Sequence, residues 1–279
     1  MSNEISHLAP GDRGYPDGLL DLEDPPPVFV TGPLPLTPAV AVVGTRRCTR
    51  YGWELASSFG RALTRAGWSV VSGLARGIDA SAHQGTLDAG GFALGVLGAG
   101  VDVWYPAENR PLYERLLAGG GVLMSEYPPG TRPDRWRFPA RNRLIAAIAS
   151  ATVVVEAGET GGALITARLS AEMGRPVLVV PGDVDRPASI GCNRLIRDGA
   201  YPVLGADDLI EELSLLLGAP KGSSAPPDGG LPAEGIDIED LPGHWGCTMT
   251  EALARLGRLE LDGEVRKVGD RVIPSYSDD

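Results

Sequence analysis

The sequence predicts an α/β fold: a doubly wound, mainly parallel sheet with a small winged-helix-like domain at the C-terminal end. Two observations predict the sheet. From Val40 onward, short runs that are apolar throughout alternate with longer amphipathic segments. Strands without polar alternation are buried on both faces, and helices between them supply right-handed crossovers. The third observation concerns the end of the chain, where an amphipathic segment is followed by two short alternating runs around a glycine. Together these describe an extended Rossmann-like domain followed by a small appendage.

Taken in order, residues 1–38 are Pro-rich and read as an irregular lead-in, with one strand at Val28–Thr31. VAVVG is the first buried strand and YGWELASSFGRALTRAG the first helix. WSVVSG and GIDASAHQGTLDAG follow as strand and helix, then FALGVLG with NRPLYERLLAG. The strand GGVLMSE leads into a charged loop, the helix NRLIAAIAS, the strand ATVVVEAG and the helix ALITARLSAEMG. The strand PVLVVPG and the helix NRLIRDG complete the pattern. The Rossmann-like domain is placed at 39–218. Residues 219–237 (APKGSSAPPDGGLPAEGID) are a Pro/Gly/Ser-rich linker. Residues 238–279 hold the helix MTEALARLGRLELDG and a hairpin, EVRKVGDRVIP, turning at Val268-Gly269-Asp270. This end is acidic, which favours an interaction or stabilising module over a DNA-binding one.

Charge is distributed unevenly. The whole chain carries −11, but residues 40–205 hold eighteen Arg, no Lys and fourteen acids, a balance of +4. The flanks carry −5 (1–39) and −10 (206–279). Within the basic middle, Arg132 to Arg143 reads RPDRWRFPARNR, five arginines and two aromatics in twelve residues. Guanidinium forks match phosphate oxygens and aromatic faces stack on bases, so this cluster is a candidate polyanion site. The alternative is a solvated charged loop. Several strands end in small or polar residues: Gly44-Thr45-Arg46, Ser72-Gly73, Gly98-Ala99-Gly100, Ser125-Glu126, Glu156-Ala157-Gly158 and Pro181-Gly182. Backbone amides at such turns, with helix N-termini behind them, favour an anion in the crevice beyond the sheet.

Other classes are disfavoured. After the first strand the chain reads GTRRCTRYG rather than GxGxxG, no GxxxxGK[ST] loop occurs, and Ser72 stands where a ribose-binding acid belongs. Hydride transfer and P-loop hydrolysis are therefore not expected, and no cofactor is. Cys48, Cys192 and Cys247 are far apart and His numbers only three, so no metal site is expected. No run of eighteen apolar residues exists, and the N-terminus lacks a basic start and an apolar stretch, so neither a membrane span nor a secretory signal is expected. A reduced, cytoplasmic setting fits this cysteine usage.

The segments VGTRRCTRYG, SGLARGIDASAHQGTL, GAGVDVWYPAEN, SEYPPG, FPARNRLIAAIA, VVVEAGETGGALITARLSAEMGRPVLVVPG and SIGCNRLIRDGA, with the lead-in YPDGLLDLEDPPPVFVTG, occur in one order over residues 15–205. In this the chain resembles the DNA-processing protein A family (DprA/Smf). The resemblance implies a non-enzymatic protein that binds single-stranded DNA on its Rossmann fold, dimerises through that fold and loads the RecA recombinase during natural transformation. It also admits a single-stranded DNA-binding protein as partner. It implies phosphate contact by Arg46 in the turn Gly44-Thr45-Arg46 and by Arg135, with base stacking on Phe138. Arg137, Arg141, Asn142 and Arg143 complete the motif, and Ser189 and Asn193 shape the pocket rim. Where the family commonly reads EAxxKSGSLITA, this chain has Thr160 for the Lys and Gly161 and Ala163 for two serines.

Alternatives stay open for single residues. Arg141 pins the loop to Glu126 or Glu156, or touches ligand. Phe138 plugs the core or stacks. Asp79 and His83, at i and i+4, form a general-base pair or a structural one, while Trp104 and Tyr105 are packing residues. The rival function is a Rossmann-type nucleotide phosphoribohydrolase, whose PGGxGTxxE pattern this chain lacks, since Glu156 precedes Gly161-Gly162.

Overall fold

The computed structural model describes residues 5–34, 37–220, 231–232, 235–245, 248–261 and 265–274. The chain divides into two compact units, Met1–Ser223 and Ser224–Asp279.

The first unit runs β1 (Ser6–Leu8), β2 (Val28–Val30), β3 (Ala39–Val43), α1 (Arg50–Arg65), β4 (Ser69–Ser72), α2 (Ile78–Asp88), β5 (Ala93–Val96) and α3 (Arg110–Ala118). It continues with β6 (Val122–Ser125), α4 (Arg137–Ile148), β7 (Ala149–Val154), α5 (Gly162–Glu172), β8 (Val177–Val179), α6 (Ile190–Arg197), β9 (Tyr201–Pro202) and α7 (Ala206–Leu217). The sheet order is β1-β2-β6-β5-β4-β3-β7-β8-β9. Strands β3 to β9 are mutually parallel, and β2 runs antiparallel to both β1 and β6. Chain order reverses between β3 and β7, which is the topological switch point of a Rossmann-like sheet.

Alternation along β3 sorts the two cores. Ala39, Ala41 and Val43 face Leu144, Ile145, Ala163 and Cys192 from α4, α5 and α6. Val40 and Val42 face Phe59, Leu63, Ile78, Leu209 and Leu213 from α1, α2 and α7. Every residue of β3 is buried, as a doubly covered strand requires.

Three features depart from expectation. The lead-in is built into the fold: β1 and β2 extend the sheet, and Tyr15 and Leu19 join the first core. Strand β9 and helix α7 extend the far side, where the sequence reading placed no element. Helix α4 begins at Arg137, so most of the FPARNR motif is helical rather than loop.

In the second unit, β10 (Ile236–Asp237), α8 (Leu241–Trp245), α9 (Met249–Leu261), β11 (Val265–Val268) and β12 (Arg271–Pro274) form an antiparallel sheet of order β10-β12-β11 with two helices. Leu231, Leu241, Ala252, Leu256, Val265 and Val272 make its core. The expected helix and the hairpin turning at Gly269 are both present. Residues 221–230 and 233–234 of the expected linker lie outside the described residues.

Candidate nucleic-acid interface

The register of β3 and β7 brings two turns to one level. Val43 pairs with Val154, the last residues of their strands. Beyond them the Val155 amide donates to the Val43 carbonyl at 3.1 Å and the Thr45 amide to the Glu156 carbonyl at 2.7 Å. Gly44 sits in this crossing because a Cβ there would lie 2.5 Å from Ile78 Cγ1 and 2.9 Å from the Glu156 carbonyl oxygen. Glu156 is buried and accepts from the Thr49 amide at 2.8 Å and the Thr49 hydroxyl at 2.6 Å. Thr49 in turn caps α1, accepting from the Gly52 amide at 3.1 Å. The loop from Gly44 to Thr49 is thus tied at both ends, and exposed Arg46 and Arg47 stand between the ties.

Helix α4 supplies the facing wall. Its residues Phe138, Arg141, Asn142 and Ile145 share one face at helical spacing and line an open cleft of about 960 Å³. The third wall is the turn from Ala157 to Ala163 at the start of α5, with Thr160 and Arg168. Phe138 is half-buried; its ring lies 5.4 Å from the Tyr105 ring, tilted by 31°, and the Arg46 guanidinium sits 5.5 Å from its centroid. Arg46, Arg47, Arg135 and Arg168 are all exposed cations on the cleft. Two acids line it as well. Glu159 is paired with Arg194 at 2.8 Å, and Asp79 is buried beside Arg141. The cleft surface is therefore positive in an acidic chain.

At the cleft base Arg141 is only 4% exposed. Its Nη1 donates to the Gly73 carbonyl at 3.1 Å and to the Val96 carbonyl. Asp79 Oδ2 accepts from the Gly73 amide at 3.1 Å. Burial raises the Asp79 pKa above the ordinary carboxylate value although Arg141 pulls it down, and burial lowers the Arg141 pKa although Asp79 raises it. Two groups whose charged forms are both desolvated support each other here.

The expected site residues separate into two groups. Gly44, Thr45, Arg46, Arg135, Phe138, Arg141 and Asn142 line the cleft. Asn142 is buried and donates to the Gly162 carbonyl at 3.1 Å, so it also holds the start of α5. The others lie off the cleft lining. Arg143, on the opposite side of α4, pairs with Glu126 at 2.5 Å. Arg137 donates to the Arg132 carbonyl and stacks against Tyr127 and Trp136. Ser189 is buried beneath Gly182, and Asn193 closes the turn after β8 by pairing with both polar atoms of the Gly182 backbone, at 3.2 Å and 2.8 Å. Of the alternatives for Arg141, neither Glu126 nor Glu156 is its partner; carbonyls and Asp79 are. Tyr105 is 47% exposed and lines the cleft rather than packing inside, whereas Trp104 stacks on buried Tyr113 at 5.6 Å.

The sequence reading missed Arg47 and Arg168 and took Tyr105 for a packing residue. The first was visible as the second arginine of GTRR. Arg168 lies one helical turn beyond Leu164 on α5, a spacing that puts it on the same helix face, and both line the cleft. Among the described residues, no group of three or more His, Cys, Asp or Glu could hold a metal ion, and no helix is long and apolar enough to cross a membrane.

Comparison with known proteins bears on the family and the fold. Residues 6–214 match the family model described as DNA recombination-mediator protein A. A Mycobacterium tuberculosis protein carrying the DprA name is 43% identical over 225 residues, covering 79% of this chain and 57% of that protein. The chain thus spans little more than half the length of that relative. The X-ray structure of DNA processing protein A from Streptococcus pneumoniae superposes with a TM-score of 0.70 at 37% identity, covering 76% of this chain and 75% of that one. A structure of DNA processing protein A from Helicobacter pylori, concerned with its single-stranded DNA binding mode, gives a TM-score of 0.68 at 29% identity, covering 75% and 95%. The family-model match over three quarters of the sequence, the identity to its relatives and the shared parallel-sheet fold point one way: the chain belongs to the DNA recombination-mediator protein A family.

Proposed function

We propose that this chain binds single-stranded DNA in the switch-point cleft, without catalysing a reaction on it, and presents the bound strand to a RecA-type recombinase. The observation that carries the reading is that Arg46, Arg47, Arg135 and Arg168 line one cleft with an aromatic ring, Phe138, against which Arg46 rests, at the mouth of glycine-bearing turns. Cations follow the phosphates and the ring takes a base, a combination that suits an unpaired strand of any sequence. A duplex keeps its bases stacked inside and would leave Phe138 without a partner.

The family membership and the Helicobacter pylori relative support the same reading. Dimerisation through the Rossmann-like domain, a single-stranded DNA-binding protein as an additional partner, a winged-helix role for the second unit and a cytoplasmic location belong to the proposal as well. Thr160, Gly161 and Ala163 line the cleft without cation or hydroxyl-rich edge beyond Thr160 itself, so arginines carry more of the electrostatic contact here.

The test is a titration of fluorescent oligo-dT at stepped salt. Each phosphate neutralised contributes about −0.7 to the slope of log affinity against log salt. Arg46→Ala should weaken binding and flatten that slope by about one phosphate's share. Wild-type affinity with no salt dependence, or an Arg46→Ala slope equal to wild type, contradicts the assignment.

A further inference from the structure

The motif RPDRWRFPARNR contains one aromatic that the cleft does not use. Trp136 is 58% exposed, a large apolar ring left on the surface. It is nonetheless held in place. Its indole N–H donates to Asp134 Oδ2 at 2.9 Å. The Arg137 guanidinium lies 5.2 Å from its ring centroid and 4.8 Å from that of Tyr127, and the Tyr127 ring meets Trp136 edge-on at 6.1 Å. Exposed aromatics usually keep rotamer freedom; this one is fixed by three neighbours before any ligand arrives.

Its position gives the ring a ligand. Arg135, the preceding residue, lines the cleft, so a strand passing out over Arg135 meets Trp136 after one residue of chain, about 4 Å. Arg132 and Arg135 are exposed on the same segment, and the one acid in it, Asp134, is engaged by the indole. Cations flanking a preorganised aromatic suit a phosphodiester with an unpaired base, whereas a protein partner's apolar side chain would gain nothing from them.

Resting on the single-stranded DNA reading of the cleft, we infer that Trp136, braced by Arg137 and Tyr127, is a second base-stacking platform outside the cleft that receives the nucleotide leaving it past Arg135. The strand would then meet Phe138 and Arg135 in the cleft and Trp136 beyond it. Because the platform lies outside the cleft, it contributes only to strands long enough to emerge.

Two oligo-dT lengths separate the platform from the cleft, one of about 6 nucleotides and one of about 20, within and beyond the span of a single small site. Loss of one stacked base corresponds to roughly a fivefold to hundredfold weakening. Trp136→Ala should show this loss with the long oligonucleotide and little change with the short one, its salt slope staying at the wild-type value because no phosphate contact is removed. Trp136→Phe should retain long-strand affinity and abolish most of the quenching of tryptophan fluorescence on binding. Trp136→Ala equal to wild type on the long strand overturns the inference, as does equal weakening on both lengths, which signals a general structural effect. If Arg46→Ala weakens both lengths while Trp136→Ala weakens neither, the cleft stands and the platform falls. If the wild-type protein binds neither length, both fall together.

Discussion

Arg141 and Arg46 are the same residue type in one small region and do opposite work. Arg46 sits exposed on a loop, over the Phe138 ring, where the proposed function gives it a phosphate; Arg141 is buried and bonded to carbonyls at the sheet ends, beside Asp79. Within the motif itself, a sequence reading that sees five arginines in twelve residues cannot tell buried Arg141 from exposed Arg135, because burial depends on how each sits relative to α4. One turn along α2 from Asp79, His83 is fully buried, and among the described residues neither ring nitrogen has a partner in good hydrogen-bond geometry, although the Ser72 backbone is near enough to oppose its pKa shift in part. Of the two sequence readings of the Asp79–His83 pair, the structure supports neither a base with a nucleophile nor a bonded pair, since Asp79 turns to Gly73 and Arg141. Burial lowers the His83 pKa from its ordinary value to about 4. A histidine whose folded pKa lies below its unfolded value binds its proton more readily when unfolded, so it favours the folded state fully above about pH 6.5 and loses this as pH falls toward 4. The total is on the order of 3 kcal/mol. Urea denaturation at pH 7 and at pH 4.5 should therefore show a steeper acid loss for wild type than for His83→Leu, which keeps the bulk without the titration. Asp79 is common to both proteins and cancels in the comparison. Parallel acid sensitivity of the two would show that His83 is solvated or bonded in solution.

At the scale of elements, most of the fold was readable and the exceptions have physical causes. Strands β3 to β8 were visible as apolar runs because both faces of the sheet are covered. Strands β1 and β9 were not, since edge strands of two or three residues carry little pattern of their own. The start of α4 was missed because Arg, Phe and Pro in its first turn look like a loop, although Pro is well tolerated where helix amides lack partners. That error mattered for the site, since it hid that Phe138, Arg141 and Asn142, already named as site residues, share one cleft-facing helix face with Ile145. The contact of α1 with α2 was equally opaque. A Cβ at Gly60 would lie 2.8 Å from the Thr86 amide and closer still to the Ala82 carbonyl, and one at Gly85 would strike the Ser57 carbonyl. Two glycines, each opposite the other helix's backbone, let these helices pack almost backbone to backbone. Gly60→Ala should therefore destabilise the protein by about 1–3 kcal/mol in urea unfolding despite alanine's better helix propensity. A stability gain would mean that the two helices separate easily.

For the whole molecule the governing fact is charge asymmetry. Residues 1–220 carry −5 and residues 221–279 carry −6, while the arginine-rich cleft belongs to the first unit. A polyanion approaching the protein responds to the summed field at long range and to the cleft arginines at short range. The second unit repels it in the first regime and, if it makes no contact with the strand, does nothing in the second. Cutting the chain after residue 220 removes that repulsion without touching a cleft residue. The shortened protein should bind oligo-dT more tightly than the full chain at low salt. The two should converge as salt rises and the Debye length shrinks to about 3 Å near 1 M. Association rates should carry most of the difference, since steering acts on encounter rather than on the bound complex. Weaker binding by the shortened chain at every salt concentration would assign the second unit a nucleic-acid contact of its own, made by its hairpin cations Arg266, Lys267 and Arg271 in spite of its net charge.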